Sequence, residues 1–348
     1  MNSSLSLPNR LDTEDQLDEL LSRPNPRLVE FMKTLEGDIL IAGVAGKMGL
    51  SLARLAVRAT SEAGRKRQVV GVARFSEPGS REQLEQHGVK TIPCDLLNPE
   101  SVAKLPQIPN VIFMAGRKFG TEGNRDLTWA TNTLLPGFTA NHFRKSRIVA
   151  FSTGCVYPFA SPDSGGCTEK TEPQPVGEYA QSCLGRERVF EYYSRQHKTP
   201  VCLYRLNYAI DLRYGVLHDI ATKVWRGEPV DVTMPCFNII WQGDANHHAL
   251  LALQLCEAPP SILNVTGPEI LLTRETAAQF GKLMNKTVQY TGHESQTAYL
   301  NNSSRARALF GAPMVTPPDM IRWVAQWMMA NGRSLGKPAH FEVKTGKF

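Results

Sequence analysis

From Asp38 onward, short apolar runs alternate with longer stretches of helical period. The runs are DILIAG, QVVGVA, VKTIP, NVIFMAG and RIVAFS, and residues 47–59 and 128–143 carry the most extended helical patterns between them. Apolar strands that alternate with helices require right-handed crossovers, and so a parallel sheet covered on both faces. Upstream, residues 11–35 predict two short helices. Asp12 or Thr13 can cap the first ahead of Leu17, Leu20 and Leu21, and Pro26 opens the second.

Beyond about Leu206 the alternation loosens. Helical patterns at 216–226, 247–256, 273–284, 303–310 and 318–329 surround short strands such as NIIW and ILNVTG, which predicts a smaller α+β lobe that shapes a substrate pocket. The tail from Asn331 contains Gly, Lys and Pro and reads as surface-bound. The chain shows no internal repeat and no low-complexity segment.

Composition narrows the partners. Lys and Arg number 39 against 33 Asp and Glu, spread along 348 residues rather than gathered in blocks, which suits anionic small ligands and carries no nucleic-acid signature. The 7 cysteines are odd in number, scattered and without a CxxC pair, which argues against a disulfide framework and against a zinc site. The amino terminus is polar and acidic where a signal peptide needs a basic start and an apolar stretch, and no apolar run approaches the roughly 18 to 20 residues of a spanning helix. A cytoplasmic chain with no membrane partner is expected.

The chemistry starts at DILIAGVAGKMG, an apolar strand followed by Gly43, Gly46 and Gly49 and then a helical pattern. Glycines in this context let the chain turn sharply, let backbone N–H groups approach a pyrophosphate and let helix and strand pack closely. Lys47 in the turn adds a phosphate contact. The second strand ends in Arg74 with Ser76 close behind, where Arg pairs with a 2′-phosphate and an acidic residue would accept from a ribose hydroxyl, so the reading is NADP or NAD with NADP favoured. The alternative for Arg74 is a solvated loop charge.

The glycine turn, Asp95 after the third strand, FMAG ending the fourth, FSTGCVY ending the fifth and YAQSC opening the next helix come in an order that resembles the extended short-chain dehydrogenase/reductase family, of the NAD-dependent epimerase/dehydratase type. The resemblance covers about residues 37–205 and implies a doubly wound parallel Rossmann sheet of α/β class. It implies the divisions 1–36 (helical extension), 37–205 (dinucleotide-binding domain) and 206–348 (smaller α+β substrate lobe and tail). It also implies a carbohydrate-type substrate and a homodimer formed through the helices at 128–143 and 176–193. Carried over by position, Gly43, Gly46, Lys47, Met48, Gly49, Arg74, Ser76, Asp95, Leu96, Ala115 and Gly116 would hold the cofactor. Asn132 would support the active-site helix beside it, Thr153 would bond the reacting hydroxyl or carbonyl, and Tyr179 would be the acid/base while lying against the cofactor.

Three positions depart from the family pattern. Cys183 stands where a Lys helps the tyrosine ionise, Gly154 and Cys155 stand where 4,6-dehydratases carry Asp-Glu, and RLNYAIDLRYG replaces RxxNVYGP. A phenol with an unperturbed pKa near 10 ionises only about one part in a thousand at neutral pH without a nearby cation. Lys118, after the fourth strand, is the candidate replacement, or a clamp for an anionic substrate; the alternative is a surface loop charge. The expected function is an NAD(P)-dependent epimerase or oxidoreductase acting on a sugar, sugar acid or nucleotide sugar. The alternative is a dinucleotide-binding sensor or scaffold without turnover. His247 and His248, adjacent on a helix, point about 100° apart and read as capping or surface residues. Cys155 and Cys183 read as neighbouring small apolar groups.

Overall fold

The computed structural model describes residues 7–118 and 123–346. Of the segments discussed above, residues 1–6, residues 119–122 after the fourth strand and residues 347–348 of the tail lie outside them. Seven parallel strands form one sheet: β1 Ile39–Ala42, β2 Val69–Ala73, β3 Lys90–Pro93, β4 Asn110–Phe113, β5 Arg147–Thr153, β6 Val201–Leu206 and β7 Ser261–Val265, in spatial order β7-β6-β5-β4-β1-β2-β3. The helices are α1 Glu14–Leu21, α2 Pro26–Thr34, α3 Gly49–Glu62, α4 Ser80–Gln86, α5 Pro99–Ala103, α6 Arg125–Trp129, α7 Leu135–His142, α8 Gly177–His197, α9 Val216–Arg226, α10 Gln242–Leu251, α11 Thr273–Met284, α12 Ser304–Phe310 and α13 Pro317–Met329.

This is the doubly wound α/β sheet that the apolar runs predict. Ile39, Ile41, Val69, Tyr204 and Leu263 pack on one face against Leu28 and Met32 of α2, Leu52 and Leu55 of α3 and Ala249 of α10. Leu40, Val111, Phe113 and Leu203 pack on the other against Phe143 and Phe190. The smaller carboxyl-terminal region gathers α9, α11 and α13 around Val216, Ile220, Phe280 and Trp323. Chain order reverses between β1 and β4, so their carboxyl ends open a crevice at the topological switch point, where doubly wound folds bind ligands.

Several expectations change. The ILNV segment joins the main sheet as β7, beside β6, rather than belonging to the smaller lobe. Residues 11–35 are part of the core, not an appendage: Leu17, Leu21 and Leu28 are fully buried, with Thr13 and Asn25 as the caps. The helix at 128–143 is three pieces, α6, a π turn at Ala130–Leu134 and α7, with Pro136 at the head of the last. His247 and His248 are buried rather than at the surface. His247 Nε2 accepts from the Asn25 N–H (3.1 Å) and its Nδ1 donates to the Gly243 carbonyl (2.7 Å), while His248 packs on the Phe310 ring. Burial lowers the two imidazoles to about 4 and about 3, as suits neutral core groups.

Candidate functional site

The crevice holds a cavity of about 320 Å³. Its walls come from the turn after β1 (Gly43, Gly46, Lys47, Met48), the end of β4 (Met114 to Lys118, without Ala115), the end of β5 (Phe151 to Thr153, and Cys155), α8 (Tyr179, Arg186) and the segment after β6 (Leu206 to Ala209). Thus the glycine turn, Thr153, Tyr179 and Lys118, far apart in sequence, meet in one space. Tyr214 to Val216 and Ala339 close it.

The three glycines do different work. Gly43 has φ +89, and a Cβ there would lie 2.6 Å from Ala115 N, so it lets β1 and the end of β4 approach. A Cβ on Gly49 would collide with the Val44 backbone, so it seats α3 against β1. A Cβ on Gly46 would meet only Gly43 O, at 3.3 Å, so its emptiness serves the cavity. The first turn of α3 has no side-chain cap from Met48, and its positive end faces the same turn. A bare turn at a helix amino terminus fits the pyrophosphate of a dinucleotide.

The residues expected at the adenosine end are outside the cavity. Arg74, Ser76 and Asp95 are exposed, the Asp95 carboxylate accepts from the Leu97 N–H (3.0 Å), and Leu96 is buried in the core. Asn132 is fully buried, with its carboxamide used inside the protein. Oδ1 accepts from Arg117 N (2.8 Å) and Arg186 Nη2 (2.6 Å), while Nδ2 donates to Arg117 O (2.8 Å) and Ser182 Oγ (3.0 Å). It thereby ties the end of β4 to α8, and its bonds place it as a support rather than a cofactor contact.

Helix α8 is fixed from below by a buried pair. Arg205 Nη2 and Nε reach Glu187 Oε2 and Oε1 at 2.6 and 2.9 Å, Ser152 donates to the same carboxylate, and Arg205 Nη1 donates to the Tyr157 hydroxyl. Above it, the Tyr179 phenol shares the cavity wall with Thr153 and Cys155, with Cys183 one helical turn further along α8. Burial, and then the neighbouring thiols of Cys183 and Cys155, push the phenol well above its usual 10, against the Arg186 charge and the Thr153 bond. Cys183 is itself fully buried and pushed up to about 11, so it is a neutral thiol at physiological pH. Lys118 Nζ stands 5.9 Å from the centre of the Tyr179 ring and donates to Ala339 O (2.9 Å); burial lowers its pKa.

Sequence reading missed Arg186, Asn207, Tyr208, Tyr214 and the tail. Position 186 is seven residues beyond Tyr179, hence on the same helical face, and that spacing was the available signal. Tyr208 holds a left-handed φ of +43 at the cavity wall, which nothing in RLNYAIDLRYG announces.

The tail is not merely laid on the surface. Lys47 Nζ donates to Lys337 O (3.3 Å), Ala339 N donates to Asp219 Oδ2 (2.6 Å), Phe341 is buried edge-on against Phe237 with ring centres 5.7 Å apart, and Lys344 Nζ donates to Ser295 Oγ and Thr297 O. Residues 337–346 therefore form a strap across the cavity mouth. Burial and the charges of Lys118 and Lys337 lower Lys47 to about 8, and burial raises Asp219 to about 6. Phe341→Ala is expected to release the strap, since truncating a buried Phe costs about 3–5 kcal/mol. Hydrogen exchange should speed up across 337–346 and stay unchanged in β1, β4 and β5; equal exchange in both proteins would refute the anchor.

Among the described residues no helix is long and apolar enough to cross a membrane, and no group of three or more His, Cys, Asp and Glu could hold a metal ion. Residues 39–210 match the family model described as NAD dependent epimerase/dehydratase. No curated protein matches the chain in sequence. Among solved structures, UDP-glucuronic acid 4-epimerase from Bacillus cereus in complex with NAD is 19% identical, with TM-score 0.69 over 84% of this chain and 96% of that one. The dTDP-glucose 4,6-dehydratase from Bacillus anthracis in complex with NAD is 17% identical, with TM-score 0.71 over 85% and 97%. UDP-glucose 4-epimerase from Thermotoga maritima with UDP-glucose is 15% identical, with TM-score 0.69 over 84% and 99%. At these identities the likeness is one of fold.

Proposed function

Because residues 39–210 match the NAD dependent epimerase/dehydratase family model, we propose that the chain binds NAD or NADP and acts as an epimerase or oxidoreductase on a sugar, sugar acid or nucleotide sugar. The observation that carries this reading is the single cavity in which the bare Gly46 turn, Thr153 and the Tyr179 phenol converge. A bound nicotinamide supplies hydride acceptance and return. The chain's own part is to move a proton. Tyr179 takes it from a substrate hydroxyl or gives it to a carbonyl, and Thr153 holds that oxygen and the phenol in register. Gly43, Gly46, Lys47, Met48 and Gly49 hold the pyrophosphate, with Arg74, Ser76 and Asp95 at the adenosine end. The smaller carboxyl-terminal region around α9, α11 and α13 supplies the substrate side.

Seven free thiols suit a reducing cytoplasm. Exposed Leu127, Trp129, Leu134 and Tyr192 on the α6-to-α8 face suit a homodimer. Cys183, an uncharged thiol, favours the alternative of a binding protein without turnover.

A screen of sugars, sugar acids and nucleotide sugars for change in the nicotinamide absorbance tests the reading; dinucleotide binding with no turnover would favour the alternative. Calorimetric titration is expected to give tighter NADP than NAD binding, with Arg74→Ala costing about 1.5–3 kcal/mol toward NADP alone, the scale of a hydrogen bond to a charged group. Equal affinities, or a preference that survives Arg74→Ala, would remove Arg74 from the cofactor site.

A further inference from the structure

We propose that Arg186, which lines the same cavity as Tyr179, is the cation that serves its phenol, rather than Lys118. The proposal rests on the reading of Tyr179 as acid/base and names its electrostatic partner. Positions 179, 183 and 186 share one face of α8. Helical side chains lean toward the amino terminus, so a long side chain at 186 extends in the direction of Tyr179.

The guanidinium is held as a fixed charge. Arg186 is 6% exposed, and among the described residues no carboxylate pairs with it; Glu187, next in sequence, is committed to Arg205 and Ser152. Its donors meet neutral acceptors only: Nη1 reaches Phe151 O at 2.9 Å, Nη2 reaches Asn132 Oδ1 at 2.6 Å and Nε reaches Asn132 O at 3.4 Å. That last carbonyl is one that Pro136, four residues on, has no N–H to serve. Gly116 makes the room, since a Cβ there would lie 2.5 Å from Nη2. A buried charge without a counter-ion costs several kcal/mol, and this one lines the cavity that holds the phenol.

The groups around Tyr179 set the balance. Cys183 on α8 and Cys155 after β5 oppose ionisation, whereas the Thr153 hydroxyl and Arg186 favour it; Tyr208 lies across the cavity. Lys118 stands over the ring with its ammonium on the strap carbonyl, and burial favours its neutral form.

The test places a fluorotyrosine, a more acidic phenol, at position 179 and follows its ionisation by fluorine NMR. Arg186→Gln should raise the midpoint by about one pH unit or more. Arg186→Lys should hold it near the native value, and Cys183→Lys in the Arg186→Gln background should bring it back, which no purely structural role would produce. An unmoved midpoint in Arg186→Gln, or a larger shift in Lys118→Gln, overturns the proposal. If Arg186→Gln does not fold, Arg186→Lys decides: a native midpoint supports the charge and a raised one refutes it. Absence of turnover on every substrate would remove the catalytic reading and leave this titration standing.

Discussion

Tyr179→Phe is expected to lower turnover by about 10²- to 10⁴-fold, the range lost with a general acid/base, while fold and dinucleotide affinity stay close to native. The ring packs against the carboxyl-terminal core, and phenylalanine keeps that contact. What disappears is the hydroxyl that shares the cavity with Thr153. The loss should fall on kcat and on kcat/KM equally, as for an interaction made only in the transition state. Because burial holds the native phenol well above 10, the fraction ionised, and with it the oxidative half-reaction, should rise with pH across the range in which the protein stays folded. Steady-state rates against pH on any substrate that turns over check both statements. A Tyr179→Phe enzyme with native kcat would make the tyrosine a remnant and move the chemistry elsewhere in the cavity.

How much of this was readable in the sequence depended on range. The strands β1, β2, β4 and β5 are short apolar runs bounded by glycine or polar turns, so local pattern sufficed. ILNVTG looks the same locally, yet its pairing with β6 spans more than fifty intervening residues, which no local window sees. The π turn at Ala130–Leu134 was hidden because LTWATNTLLPG has helical period throughout, and only Pro136 hints that the ladder must shift. The tail was read as surface because it lacks periodicity. It is held instead by backbone carbonyls and amides that any sequence offers, by the Phe341 ring and by the Lys344 ammonium.

The site divides in the same way. Gly43, Gly46 and Gly49 are legible because a bare turn between strand and helix has few other uses. Tyr179 and Thr153 came from motif order. Arg186 belongs to no motif, and only its place seven residues beyond Tyr179, on the same helical face, marks it in the sequence. Lys118 carried the expectation of a cation near the phenol; its ammonium stands 5.9 Å from the ring centre and donates to Ala339 O, 221 positions away in sequence.

Gly46→Val should weaken dinucleotide binding by at least about a hundredfold, about 2.8 kcal/mol, and leave the fold standing. Its φ is not in the left-handed region, and a Cβ there touches only Gly43 O at 3.3 Å, so a side chain can be accommodated by the backbone. The remaining methyl groups must project into the cavity, where they would take the space of the pyrophosphate and screen the first amides of α3 from it. Gly43→Val and Gly49→Val are the contrasting cases. The first forces a branched residue into φ +89 against Ala115 N, and the second drives a Cβ into the Val44 backbone, so both should lose stability before binding can be asked about. Calorimetric titration with NAD and NADP, beside thermal unfolding of the three variants, separates the two classes. Native affinity in a folded Gly46→Val protein would show that the dinucleotide does not lie on this turn, and the assignment of Tyr179 and Thr153 to its reactive end would fall with it.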